Sequence, residues 1–251
     1  MPNHKLQITN GSRVWFLIFL PLLFTTYYLL PTTPAHAQEV DLLWQGDVYV
    51  PPFYEGRTLW SNQSEVIILA IPHISSQGRE LDPSALTYKW WKDSVVLNTV
   101  SGVGKNSISI TDSITGRPQE IKVEVMTSNG AVLASASKKL SGLPVKILVY
   151  ENSPLYGLLF NHEVGTLYEV RERETTLAAI PLFFSSFEKD PGFINFKWNT
   201  SSGDTEGSGS VTYRFPEGAT GSARIRVKAS NENRFMQFSE KSFTLDVKND
   251  Q

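Results

Sequence analysis

A long internal repeat constrains this chain more than any other feature. The run Val66-Ile67-Ile68-Leu69-Ala70-Ile71-Pro72 returns as Thr175-Thr176-Leu177-Ala178-Ala179-Ile180-Pro181. Asp82-Pro83 returns as Asp190-Pro191, and Thr87-Tyr88-Lys89-Trp90 as Asn195-Phe196-Lys197-Trp198. The offset is 109 at Ala-Ile-Pro (70 to 179) and 108 at Trp (90 to 198), so one deletion explains the whole segment. Downstream, Ile121-Lys122-Val123-Glu124-Val125 matches Ile225-Arg226-Val227-Lys228-Ala229, and upstream Pro52-Phe53-Tyr54 matches Pro154-Leu155-Tyr156. Such a repeat is the size of a small domain and far too long for a solenoid unit. The sequence therefore predicts two homologous domains, 38–143 and 144–251. Ser141-Gly142-Leu143-Pro144 between them reads as a short turn-forming joint that allows limited movement.

Within each repeat, apolar and polar residues alternate over short runs, as in Leu86, Tyr88 and Trp90 or Ile121, Val123 and Val125. This is the period of a half-buried strand, and helical spacing is nowhere sustained. Strands are expected at 47–50, 65–71, 85–92, 95–97, 107–111, 120–127 and 132–140. In the second repeat they are expected at 146–150, 165–170, 175–180, 193–199, 208–213, 223–229 and 238–247. Ser128-Asn129-Gly130 reads as a hairpin turn, because Asn-Gly tolerates positive φ. Seven short strands per repeat point to an all-β fold of two tandem β-sandwiches.

Residues 1–37 read as a targeting segment. Lys5 and Arg13 precede an apolar run over 14–30, then Pro31, Pro34 and the small residues of Ala35-His36-Ala37. This is the pattern of a secretory signal peptide cut after Ala37. The rival is an uncleaved anchor through 14–30, a run at the lower edge of what spans a bilayer. The chain has no Cys, so an exported product is held by core packing alone. With 23 Lys+Arg against 25 Asp+Glu, it lacks the basic field that nucleic-acid phosphates require.

A Trp in the third strand of each repeat, Trp90 and Trp198, followed by the Ile-x-Val strand, resembles the immunoglobulin-like and PKD-like modules of bacterial surface proteins. The resemblance covers both repeats and implies two tandem immunoglobulin-like sandwiches after the signal peptide. The cysteine pair of immunoglobulin domains is missing, and Leu69, Val123, Leu177 and Val227 or their neighbours stand where it would face the Trp. The layout also resembles exported proteins of small-genome candidate-phylum bacteria, which implies an extracytoplasmic or cell-surface address.

The sequence offers little chemistry. His73 and His162 lie in different repeats and form no zinc-binding spacing, and Gly207-Ser208-Gly209-Ser210 reads as a flexible loop. Asp204-Thr205-Glu206 and Glu188-Lys189-Asp190 offer oxygen ligands for one weak calcium site, but the spaced acidic sets of calcium linkers are absent, so no metal or cofactor is assigned. Arg171-Glu172-Arg173-Glu174 reads as a solvated edge strand. Trp90 and Trp91 are adjacent and must point to opposite faces of a strand; by its match to Trp198, Trp90 is the core residue. Trp91, Phe53, Tyr54, Tyr156 and Phe160 are the candidate contacts to a partner, and Trp90 and Trp198 the structural core. The expectation is an exported, non-enzymatic spacer or adhesive module whose partner is an envelope protein or a glycan. The alternatives are a carbohydrate-binding accessory module, using Trp91 with Tyr88 or Phe53, and a hydrolase with an unrecognised site.

Overall fold

The computed structural model describes residues 38–111, 116–185, 191–200 and 203–248. The signal peptide read at 1–37 and the candidate ligands Glu188-Lys189-Asp190 lie outside the described residues. The first sandwich contains β1 (Glu39–Asp47), β2 (Glu65–His73), β3 (Ser75–Ser76), β4 (Arg79–Glu80), β5 (Thr87–Lys92), β6 (Val95–Val96), β7 (Gly102–Val103), β8 (Ser107–Thr111), β9 (Gln119–Met126) and β10 (Val132–Leu140). One sheet has the order β1-β2-β8 and the other β10-β9-β5-β6, with β7 also pairing β5. The second sandwich contains β11 (Lys146–Ser153), β12 (Gly157–Glu163), β13 (Leu167–Val170), β14 (Glu174–Leu182), β15 (Ile194–Thr200), β16 (Gly203–Glu206), β17 (Ser210–Arg214), β18 (Gly221–Asn231) and β19 (Phe238–Val247). Its sheets are β12-β11-β14-β17 and β13-β19-β18-β15-β16, with β13 parallel to β19. These are two tandem immunoglobulin-like sandwiches.

The two-residue period places the core. Val66, Ile68 and Ala70 of β2, Tyr88 and Trp90 of β5, and Ile121, Val123 and Val125 of β9 all turn inward. Leu177 and Ala179, Phe196 and Trp198, and Ile225, Val227 and Ala229 repeat the arrangement in the second sandwich. Leu69 itself faces outward, and its neighbours Ile68 and Ala70 take the place expected for it against the Trp. Trp90 lies opposite Val123 and Trp198 opposite Val227. Each buried indole N–H donates to a loop carbonyl: Trp90 Nε1 to Lys105 O at 2.8 Å, and Trp198 Nε1 to Ser208 O at 3.0 Å. The next loop residue closes each loop onto the same sheet position, with Ala70 N–H donating to Asn106 O and Ala179 N–H to Gly209 O. The Gly/Ser run at 207–210 is therefore a core-lining turn with a fixed backbone.

Several local expectations change. The first strand is β1, over Glu39–Asp47, rather than 47–50, because Val48 leaves the sheet to bridge Ser185 of the second sandwich. β12 forms where no strand was expected; Pro154 sits in the turn before it and so removes no ladder bond. Arg171-Glu172-Arg173 is the turn between β13 and β14, with pairs Arg171–Glu169 and Arg173–Glu217, while Glu174 opens β14 and pairs with Arg214. The 128–130 turn has positive φ only at Gly130, between the bonded residues Thr127 and Ala131, which makes it a three-residue hairpin loop.

The β5–β6 hairpin achieves its two-residue turn without glycine, with Asp93 at φ 47° and Ser94 at φ 68°. Asp93 is tied in place, its N–H donating to Glu120 O and its carboxylate accepting from Glu120 N–H. Ser94 carries the left-handed conformation without such support. Ser94→Gly should raise the unfolding free energy by on the order of 0.5 kcal/mol, the relieved αL cost less the extra freedom of the unfolded chain. A higher urea midpoint at unchanged slope is the expected readout.

In the second sandwich burial pushes the Tyr213 phenol up to about 12. Burial and then the hydrogen bond to Glu151 push Tyr168 higher still. Below the ordinary tyrosine value of about 10 both states keep these protons; above it the unfolded chain ionises first, so stability is lost as pH rises. Thermal midpoints should fall from about pH 10 upward, and Tyr213→Phe should flatten that fall.

Candidate interaction surface

The two sandwiches are joined by a built interface. After β1 the chain makes an excursion over 48–64 that runs along the second sandwich before returning as β2. Gly46 marks the departure: its N–H donates to Thr58 O, and a Cβ there would lie 2.5 Å from Leu59 O. Val48 bridges Ser185, Tyr49 N–H donates to Phe184 O at 2.6 Å, and Phe183 N–H donates to Tyr49 O at 2.8 Å. On the return, Trp60 enters the first core, while Asn62 N–H donates to Leu143 O and Leu143 N–H to Trp60 O. Leu143, read from sequence as part of a joint with limited play, is hydrogen-bonded through both its backbone groups. Val48, Leu182 and Phe183 form a small buried cluster, with Val50, Tyr54, Leu59 and Leu148 packed around it. Phe183 holds φ 67°, a conformation that costs a bulky residue about 1–2 kcal/mol, and Tyr54 meets its ring edge-on at 5.6 Å.

A single amide closes this joint. Gln237 is 1% exposed. Its Oε1 accepts from Ser185 N–H at 2.8 Å and from Asn231 Nδ2 at 2.9 Å, both in the second sandwich. Its Nε2 donates to Asn62 O of the first sandwich at 2.7 Å. Nearby, Met236 N–H donates to Gln63 Oε1 at 2.9 Å. Gln237→Leu would leave buried donors and an acceptor unpaired, at about 1–3 kcal/mol for each group that water cannot reach. The expected result is a loss of about 2–4 kcal/mol in denaturant unfolding, with one transition splitting into two as the sandwiches uncouple.

Three of the five candidate contacts meet at the edge of this joint. The Phe53 and Phe160 rings lie 4.0 Å apart between centroids, although the residues belong to different sandwiches and are 45% and 44% exposed. Tyr150 meets Phe160 edge-on at 5.4 Å. Tyr54 packs on Phe183 and donates from its hydroxyl to Arg57 O. Tyr156 stands apart at the β11–β12 turn, 80% exposed beside Leu155 at 84%. Both backbone N–H groups of that turn donate to Ser153 Oγ, which fixes the turn while leaving its side chains in solvent.

Trp91 is elsewhere, half-buried on the outer face of the β5–β9 sheet. Lys89 Nζ lies 4.6 Å and Lys122 Nζ 5.8 Å from its ring centroid. Glu124 beside it is held below the ordinary carboxylate value, chiefly by its hydrogen bond to Lys122. The structure does not assemble the aromatic platform expected for a glycan: Tyr88 is fully buried with its hydroxyl donating to Pro83 O, and Phe53 is at the joint.

Several titratable groups near the sites considered from sequence form side-chain pairs. His73 faces Asp41 at 3.1 Å, and Lys197 takes both Asp204 and Glu206, at 3.2 and 2.8 Å. Among the described residues no three His, Asp or Glu converge on a metal position, and no helix is long and apolar enough to cross a membrane. Sequence reasoning missed an apolar stripe on the outer face of β1 and β2, where Leu43 and Ile67 are exposed beside a groove of about 490 Å³ that Arg57 borders. The signal was present: an unbroken apolar run over 66–71 makes both faces of one strand apolar.

No protein-family model matches the chain, and no curated protein matches it in sequence. Solved structures do match. The fibronectin(III)-like modules of Clostridium thermocellum CbhA align over 82% of this chain and 95% of theirs, at 13% identity and a TM-score of 0.26. Sidekick-1 immunoglobulin domains 1–4 align over 87% of this chain and 51% of theirs, at 16% identity and 0.30. The mouse nectin-like molecule 4 ectodomain aligns over 86% of this chain and 65% of its own, at 11% identity and 0.31. The fold itself is read from the strand order and registers above.

Proposed function

We propose that the protein is an exported, non-catalytic structural or interaction protein of a bacterial cell envelope, acting as a spacer or adhesive module. The observation that carries this reading is the pairing of a hydrogen-bonded joint with an exposed apolar turn. Gln237 and the 48–64 excursion give the two sandwiches a defined relation, and Leu155 and Tyr156 project from the second one on a turn locked by Ser153. Aromatic side chains presented on a rigid element are the usual anchors of protein interfaces. The leader at 1–37 supports the extracytoplasmic address, and the partner on this reading is an envelope protein.

Leu155→Ser with Tyr156→Ser tests it. Both side chains are mostly in solvent, so the melting midpoint should stay within the range of ordinary surface changes, about ±0.5 kcal/mol. Retention of the purified protein on envelope fractions of the producing cells should fall at least tenfold, a modest loss for two aromatic or apolar anchors. Retention that survives the substitution would remove the turn from the interface.

A further inference from the structure

We infer that β8 is a self-complementary edge through which two copies of this chain pair, joining their β1-β2-β8 sheets across a two-fold axis centred on Ser109. This goes beyond the spacer role and does not depend on it. β8 ends its sheet, and among the described residues no strand pairs with its other side. The chain passes from β7 into β8 without a further strand to cover that edge.

The pairing with β2 shows which backbone groups remain. Ala70 N–H donates to Asn106 O, so 70 and 106 form a hydrogen-bonded position, and such positions alternate along an antiparallel ladder. Ile108 and Ile110 therefore bond to Ile68 and Val66, while the N–H and C=O groups of Ser107, Ser109 and Thr111 point to the open side. These are the groups a second strand needs. An exposed row of this kind is a template for pairing unless a protein blunts it with charge, proline or a bulge.

Those devices are present on the other edges and missing here. β10 carries Lys138 and Lys139, β16 carries Asp204 and Glu206, β17 ends at Arg214, and β12 is bulged against β11. Among the described edge strands longer than two residues, β8 alone has neither charge nor proline. Its register against β2 is unbroken over all five residues.

The occupant follows from the sequence Ser107-Ile108-Ser109-Ile110-Thr111, which reads nearly the same in both directions. Antiparallel pairing about Ser109 sets Ser107 against Thr111 and Ile108 against Ile110 of the other copy. The buried Ile108 and Ile110 stay on the core side of both sheets, and the exposed hydroxyl residues share the outer side. No like charges meet, because Glu65, bonded to Ser109 Oγ, lies one strand back from the axis. The three outward residues of each copy would exchange on the order of six backbone hydrogen bonds, two at each hydrogen-bonded pair.

Sedimentation velocity on the purified protein tests this, up to roughly 100 µM, a range that reaches weak interfaces. The expected result is a concentration-dependent dimer. Ser109→Pro removes the central donor without touching the β2 ladder, and Ser109→Lys places two cations at the axis beside a Glu65 that still accommodates each in the monomer. Each should weaken association by on the order of tenfold or more, and mixing Ser109→Lys with Ser109→Glu should restore a dimer. Amide exchange at Ser107, Ser109 and Thr111 of the unmodified protein should slow as concentration rises, a readout that needs no variant. A protein that stays monomeric throughout, with exchange independent of concentration, would overturn the inference. So would a dimer that both variants leave undiminished.

Discussion

Two buried indoles govern this molecule. A sandwich of this kind without cysteine has no covalent tie between its sheets, so Trp90 and Trp198 must fill the centre by volume alone. An indole in that position carries an N–H that would cost about 1–3 kcal/mol if left unpaired. The loops entering β8 and β17 supply the missing acceptors through Lys105 O and Ser208 O, and the adjacent residues bond to the central strand of the same sheet. The Trp of β5 thereby helps to set the position of β8, and the Trp of β15 that of β17. This accounts for a Gly/Ser sequence serving as a fixed turn, since only its backbone is used.

The excursion over 48–64 has a second loyalty. Its return leg gives Trp60 to the first core, whereas its outward leg packs Tyr49 on the second core and gives Val48, Val50 and Tyr54 to the small cluster at the joint. Stability of one sandwich is thus coupled to the integrity of the other, and the strained backbone at Phe183 is sustained by groups from both. The excursion bonds through its backbone to Leu143 on one side and to Phe183 and Phe184 on the other.

Much of the architecture was legible in the sequence because the two-residue period is a local property. The strands around Trp90 and Trp198, and the duplication itself, follow from alternation and spacing. What remained hidden depended on which sandwich a segment serves. Val48 looks like a strand residue in either setting, and only the Ser185 bridge shows that it has changed partners. Phe53 and Phe160 both read as candidate contacts to a partner, yet their contact with each other links segments far apart in the chain, beyond any local pattern. Trp91 was placed on the outer face by parity with Trp90, but the lysines that flank it come from two strands. Leu43 and Ile67 escaped notice because an apolar strand reads as buried on both sides until its neighbours are known.

The joint also bears on how the duplicated halves diverged. The partners of the excursion are Leu148 on β11, Leu182 at the end of β14 and Phe183 just after it. At the equivalent registers of the first sandwich stand Asp41 and His73, a polar pair facing solvent. The two repeats are therefore not interchangeable at the joint. The halves are head and tail: the leading sandwich carries the excursion, the trailing one the apolar seat for it, and exchanging the two would set the polar Asp41–His73 face where that seat has to be.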